Sequence, residues 1–177
     1  MIYTSQYHSP LGWILLAADD VGLTGLWFDG QKYYANALSS AHTEREMPVH
    51  TVVKRWLDTY FGGKEPDFTP PLHPCGTPFR KEVWKLLRQI PYGTTVSYGE
   101  LAARLAKQIG KERVSAQAVG GAVGHNAISI LIPCHRVVGA NGNLTGYAGG
   151  IDKKIALLEL EHTDMHRLFV PQKGTAL

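Results

Sequence analysis

The sequence predicts a two-part α/β (α+β) protein: an N-terminal antiparallel sheet carrying a helix, then a mostly helical part containing a helix-turn-helix. Three observations lead there. Three short strand-like runs punctuated by turn formers open the chain, a proline-rich stretch at 64–74 divides it, and capped apolar helices follow.

Residues 2–7, 13–18 and 23–28 read as strands, separated by His8-Ser9-Pro10-Leu11-Gly12 and Asp19-Asp20-Val21-Gly22, both rich in turn residues. That is a meander. Val52, Val53, Trp56, Leu57, Tyr60 and Phe61 then fall on one helical face, which Gly62-Gly63 ends. His42 and His50 stand among polar residues and read as solvated. Residues 64–74 hold four prolines and read as a linker, so the expected division is 1–74 and 75–177.

Gly76-Thr77-Pro78-Phe79 opens the next helix, with threonine as cap and proline in the first turn. Its apolar face is Phe79, Val83, Trp84, Leu86, Leu87 and Ile90, and Pro91-Tyr92-Gly93 stops it. Ser97 and Glu100 have capping-box spacing and start a short helix through Leu101, Ala102 and Leu105. After a polar turn at 107–113, Ser115 can cap a second helix over 116–123. Two short helices around a turn fit a helix-turn-helix or a plain helical hairpin. The second is thin: Ala116, Ala118, Gly120, Gly121 and Ala122 offer little side chain, and each glycine costs about 1 kcal/mol relative to alanine. Either another helix packs very close or a nucleic-acid backbone approaches there, and thinness suits the narrow minor groove.

An apolar run at 130–133 then delivers Cys134, His135 and Arg136 in succession before Val137-Val138. Cys134 reads either as a small buried hydrophobe or as a working thiol. A thiolate nucleophile needs a base. His135 is the nearest, and Glu161, closing a helix over 151–161, could orient it, in the manner of a Cys-His-Glu triad. On extended backbone, neighbouring side chains point to opposite faces, so a direct Cys134–His135 bond is not assured. Residues 141–150 form a glycine-rich loop whose one large side chain is Tyr147. The tail at 162–177 shows no pattern.

Composition narrows the function classes. The 177 residues are 44% hydrophobic, as in ordinary globular proteins, with no apolar run approaching the ~20 residues of a membrane span and no signal peptide at Met1. A cytoplasmic location is expected. Cys75 and Cys134 make no disulfide framework, and His73 with Cys75 has no second pair, so no metal is expected. Five basic and eight acidic residues precede Cys75, while thirteen and seven follow from there, net +6 in the second part. A polyanionic partner fits that field.

Pro133-Cys134-His135-Arg136-Val137, followed by Gly146-Tyr147-Ala148-Gly149-Gly150, resembles the O6-alkylguanine-DNA alkyltransferases, or methylated-DNA-protein-cysteine S-methyltransferases. The resemblance covers 76–161 well and the earlier part loosely. It implies a ribonuclease H-like first domain and DNA repair by irreversible, stoichiometric transfer of the alkyl group from O6-alkylguanine, and from O4-alkylthymine as a further substrate, to Cys134. It implies that a water links Cys134 to His135, that Glu161 supports the histidine, and that Asn126 steadies the geometry. Tyr98 would help turn the nucleotide out and donate toward the purine, the Ala148 amide would face O6, carbonyls near Cys134 and Val137 would accept the exocyclic amine, and Tyr147 would wall the pocket. Ser97, Ala116, Gln117, Ala118, Gly121 and Arg136 complete the expected DNA-binding set. The expected partner is duplex DNA held by its minor groove, the protein acts as a monomer, and no cofactor is implied. One residue departs from the family pattern: Gln117 stands where an arginine often enters the base stack. Two rival readings are a thiol hydrolase using Cys134 and His135, and a damage-recognition module whose cysteine is structural.

Overall fold

A computed structural model describes residues 1–36 and 38–171, which form two compact units: Met1–Cys75 with Ala127–Ser129, and Gly76–Asn126 with Ile130 onward. In the first unit, β1 (Ile2–Ser9), β2 (Gly12–Ala18) and β3 (Leu23–Phe28) form the expected antiparallel meander. A short β4 (His42–Glu44), not foreseen, pairs in parallel with β1, giving the order β3-β2-β1-β4. All three of its residues are exposed, so no apolar alternation marks it.

All six residues of β3 are buried. Two returning segments cover its free edge: Leu23 N–H donates to Pro71 O (2.9 Å) and His73 N–H to Leu23 O (2.7 Å), while Leu26 N–H donates to Ala127 O (2.8 Å). The proline-rich stretch is therefore an edge cover as well as a connection, and a boundary at 74/75 leaves out Ala127–Ser129, which the sheet recruits. Gly22 permits the first approach, since a Cβ there would stand 2.6 Å from Pro71 O.

Helix α1 (Pro48–Phe61) turns Val53, Leu57 and Tyr60 inward. His50, expected in solvent, is fully buried beside them, because its Nδ1 accepts the Met47 N–H (2.9 Å) at the open helix start. Burial pushes its pKa down. His42 is exposed.

In the second unit, α2 (Pro78–Leu87), α3 (Tyr98–Gln108) and α4 (Ala116–Gly124) pack on one another around Val83, Leu87, Leu101, Leu105 and Val119. Their starts are local chemistry. Thr77, Ser97 and Ser115 each accept the amide three residues on, at 3.2, 3.1 and 3.0 Å, and Glu100 returns to Ser97 N–H at 2.9 Å. The Trp84 indole N–H donates to Ala122 O (2.9 Å), binding α2 to the thin helix.

A two-residue parallel pair, β5 (Val96–Ser97) with β6 (Val137–Val138), ties the start of α3 to the residues just after the cysteine. Helix α5 (Ile151–Leu160) follows the glycine-rich loop. The tail is anchored where the sequence showed nothing: Leu144 N–H donates to Phe169 O (2.8 Å), and Met165 and Leu168 pack on Val138, Leu144 and Leu158. Residues 172–177 of that tail lie outside the described residues.

Candidate active site

Cys134 lies in a 3-10 turn, Cys134–Arg136, not on the extended backbone expected for it. Pro133 cannot donate, and the turn closes through Arg136 N–H to Pro133 O (3.1 Å). At three residues per turn, neighbouring side chains diverge by about 120° instead of 180°, and the Cys134 thiol takes a hydrogen bond from the His135 backbone amide. The Asn126 amide donates to Ile132 O (2.7 Å), fixing the approach to the turn, and its side chain also hydrogen-bonds the Cys134 thiol.

Cys134 is 6% exposed, and His135 and Glu161 are buried. The imidazole Nε2 stands 2.6 Å from Glu161 Oε1. Burial tends to raise the Glu161 carboxyl, but His135 and Arg136 outweigh it and hold it down at about 2. An ionised carboxylate only accepts, so Nε2 carries the proton and Nδ1 is the basic nitrogen. Burial lowers the pKa of His135 against the pull of Glu161, keeping it neutral. Burial likewise raises the Cys134 thiol, opposed by Asn126, Lys154 and the amides of Cys134 and His135. The resting site is thus a protonated thiol, a neutral imidazole and a fixed carboxylate.

Arg136 differs from expectation. The resemblance implies a DNA contact, yet the side chain is 9% exposed and turned inward: Nε and Nη2 donate to the two oxygens of Glu161 at 2.9 Å each, and Nη1 donates to Ile90 O (2.7 Å). The guanidinium also lies over the Tyr92 ring, 5.8 Å from its centroid. Its fork locks the carboxylate that locks the histidine.

The glycine-rich loop borders this group. Tyr147 is buried edge-on to His135, with ring centroids 6.5 Å apart, and Tyr98 reaches Gly146 O at 3.5 Å. Burial, and then the nearby Cys134, raise the Tyr98 phenol to about 12, so it stays a donor. Ala148 is half-buried in the turn closed by Gly150 N–H to Tyr147 O (2.9 Å). Val137 O, expected to receive a substrate amine, already accepts from Lys154 Nζ at 2.5 Å, which leaves its second lone pair. Lys154 was missed by sequence reasoning, although it sits three residues after Ile151 and four before Leu158 on the inward stripe of α5.

Ser115, Ala116, Gln117, Ala118 and Gly121 are exposed along α4, and a Cβ at Gly121 or Gly124 would meet nothing within 4 Å. Close helix packing therefore does not explain those glycines. A groove whose charged lining is Lys107, Lys111 and Arg113 against the single carboxylate of Glu112 runs beside this face, giving it a net positive charge. Ser97 is half-buried and spends its hydroxyl on the α3 cap.

Comparison with known proteins agrees over nearly the whole chain. Residues 78–163 match the 6-O-methylguanine DNA methyltransferase DNA-binding domain, and residues 2–74 match the ribonuclease-like domain of the same family. The methylated-DNA--protein-cysteine methyltransferase of Haemophilus influenzae is 40% identical over 161 residues, covering 90% of this chain and 86% of its own. That of Mycobacterium tuberculosis is 45% identical, covering 91% and 93%. A crystal structure of Mycobacterium tuberculosis OGT in complex with DNA superposes with a TM-score of 0.76 at 43% identity, covering 90% of this chain and 92% of that one.

Proposed function

The chain belongs to the 6-O-methylguanine DNA methyltransferase family, and on that premise we propose how its own residues repair DNA by moving an alkyl group onto Cys134. The flipped O6-alkylguanine enters beside the glycine-rich loop, at an unstacking cost of a few kcal/mol. His135 Nδ1 takes the thiol proton through a water, and Glu161 stabilises the imidazolium that forms. The thiolate attacks the alkyl carbon, the S–C bond forms, and the C–O bond electrons leave with guanine O6. Tyr98, kept protonated by burial, donates toward the purine and improves the leaving group. The proton taken from the thiol ends on guanine. The product is a thioether with no carbonyl for water to attack, so each molecule acts once.

The observation that carries this reading is a buried thiol bonded to Asn126, beside a histidine held by an ionised carboxylate that Arg136 clamps. Ser115, Ala116, Gln117, Ala118 and Gly121 are the residues we assign to the minor groove, supported by their exposure and small size. Met1–Cys75 with Ala127–Ser129 form the first domain in this reading, and Gly76–Asn126 with Ile130 onward hold DNA and accept the alkyl group. O4-alkylthymine is a second substrate of the same site. Among the described residues no helix is long and apolar enough to cross a membrane. A free thiol nucleophile suits the reducing cytoplasm, where we place the protein, acting as a monomer.

Intact mass after incubation with an oligonucleotide bearing one O6-methylguanine tests the reaction. The expected result is one methyl group per protein, mapped to Cys134 and absent in Cys134→Ala. A methyl group on Cys75, or repeated turnover without modification, refutes it.

A further inference from the structure

The first unit carries an aromatic hollow to which the transfer chemistry gives no task. Gln6, Trp13, Ile14, Leu15, Asp29 and Tyr34 line a space of about 170 Å³. That is well under the ~300–1,000 Å³ of a pocket for a drug-sized molecule, and it suits the head of one side chain. Trp13 is 51% exposed and Tyr34 42%. Large aromatic rings left in water beside polar groups mark places where something else covers them.

The frame that presents these rings is fixed. Near the start of β2, the Trp13 carbonyl accepts the Asp29 N–H (2.9 Å), and its indole lies 4.6 Å from the His8 ring on β1. The chain after β3 is pinned at several points: Gln31 Oε1 accepts the Phe28 N–H at 2.8 Å, Tyr34 N–H donates to Gln31 O (3.2 Å), and Ala35 and Leu38 pack against Ala17 and Trp27. Between those pins Tyr33 and Ala35 take φ of 58° and 51°, the left-handed region in which a Cβ crowds the following carbonyl oxygen. Such backbone persists only where its surroundings over-determine it. Here the result is that both tyrosines stay exposed.

The lining selects the charge and the shape of an occupant. Indole and phenol faces attract a cation, and Asp29 adds a full negative charge beside them. Nucleic-acid phosphate is repelled, the more so because eight acidic residues stand against five basic ones before Cys75. A neighbouring ring already shows the contact: Lys32 Nζ stands 5.2 Å from the Tyr33 centroid, whereas among the described residues no lysine or arginine covers Trp13 or Tyr34. Gln6 and the two oxygens of Asp29 call for several N–H donors at once. A planar guanidinium supplies them as a fork while its face stacks on the rings. A quaternary ammonium has no donor, and a lysine ammonium has no plane.

We propose that this hollow is a docking site for an arginine side chain of a protein partner, stacked on Trp13 and Tyr34 with its guanidinium forked onto Asp29. No residue assigned to alkyl transfer or to DNA takes part, so the proposal stands independently of that reading.

The probes are three blocked tripeptides titrated into the full chain: Gly-Arg-Gly, its citrulline counterpart, which keeps the shape without the charge, and Gly-Lys-Gly. The readout is the Trp13 indole N–H signal in NMR, assigned through Trp13→Phe. The arginine peptide should shift it saturably in the millimolar range, with citrulline about tenfold weaker or more and lysine about threefold weaker. Asp29→Asn and Tyr34→Ala should each weaken the arginine peptide by about tenfold, while Asp29→Asn still accepts one methyl group from O6-methylguanine as wild type does. No saturable shift, or equal binding of the citrulline peptide, overturns the proposal. Equal binding of the lysine peptide overturns the assignment to arginine. Wild-type affinity in both variants puts the peptide elsewhere on the surface and also overturns it. A wild-type protein that binds the arginine peptide but never accepts the methyl group supports the docking site and refutes the transfer reading alone.

Discussion

Gly121 offers the sharpest test of why α4 is thin. It lies inside Ala116–Gly124, exposed, with Val119 and Ala122 buried on the opposite side, and a Cβ there would enter open space. For the free protein, Gly121→Ala should therefore be a gain. It recovers the backbone entropy that glycine loses in a helix, about 0.8–1 kcal/mol. For a chain of this size that raises Tm by roughly 2–4 °C. DNA binding should move the other way. If phosphodiester backbone or the groove floor lies against this face, Gly121→Leu, also a good helix former, forces an overpacked contact costing ~1–3 kcal/mol, or about 5- to 150-fold in affinity. Thermal melts of wild type and both variants give the first quantity. Anisotropy titrations with an O6-methylguanine duplex at one fixed salt concentration, in a Cys134→Ala background, give the second. A lower Tm for Gly121→Ala would refute the open-face argument, and wild-type duplex affinity in Gly121→Leu would refute the assignment of this face to DNA.

Further outcomes are expected at Glu161, Arg136 and Gln117. Glu161 is held at about 2 against an ordinary 4.5, so its ionised form adds stability that is complete above about 4.5 and is lost as pH falls toward 2; this is worth roughly 3 kcal/mol. Wild type should accordingly lose more stability than Glu161→Gln over that range in acid titrations followed by circular dichroism, and equal slopes would contradict it. At neutral pH Glu161→Gln itself should cost ~3–5 kcal/mol in urea unfolding, because it strands a buried Arg136. Arg136→Lys cannot serve both Glu161 oxygens and Ile90 O with one ammonium, so a loss of about 2 kcal/mol and slower methyl transfer are expected, and a wild-type Tm would show that the fork is dispensable. Gln117→Arg, on the exposed side of α4, should tighten duplex binding and steepen the log-affinity against log-salt slope by about one; an unchanged slope would place residue 117 away from the phosphates.

Much of this molecule is written locally. Thr77, Ser97 and Ser115 cap α2, α3 and α4 because a hydroxyl three residues before an amide needs no help from the rest of the chain to find it. The same holds for the meander and for the thinness of α4, and the order Pro133-Cys134-His135 named the chemistry. Long-range geometry decided the rest. The polar β4 exists because β1 offers it an edge, and Ala127–Ser129 join the first unit because β3 has amides to satisfy. The burial of His50, Arg136 and Lys154 is not legible in sequence, since a charged or polar side chain is buried only when partners distant in the chain converge on it. For Arg136 and Lys154 those partners are Glu161 and the carbonyls of Ile90, Val137 and Thr145. Residue type determined which groups could react, but it took folding to bring a carboxylate 25 residues away onto Arg136, and with it the state of the histidine and the thiol.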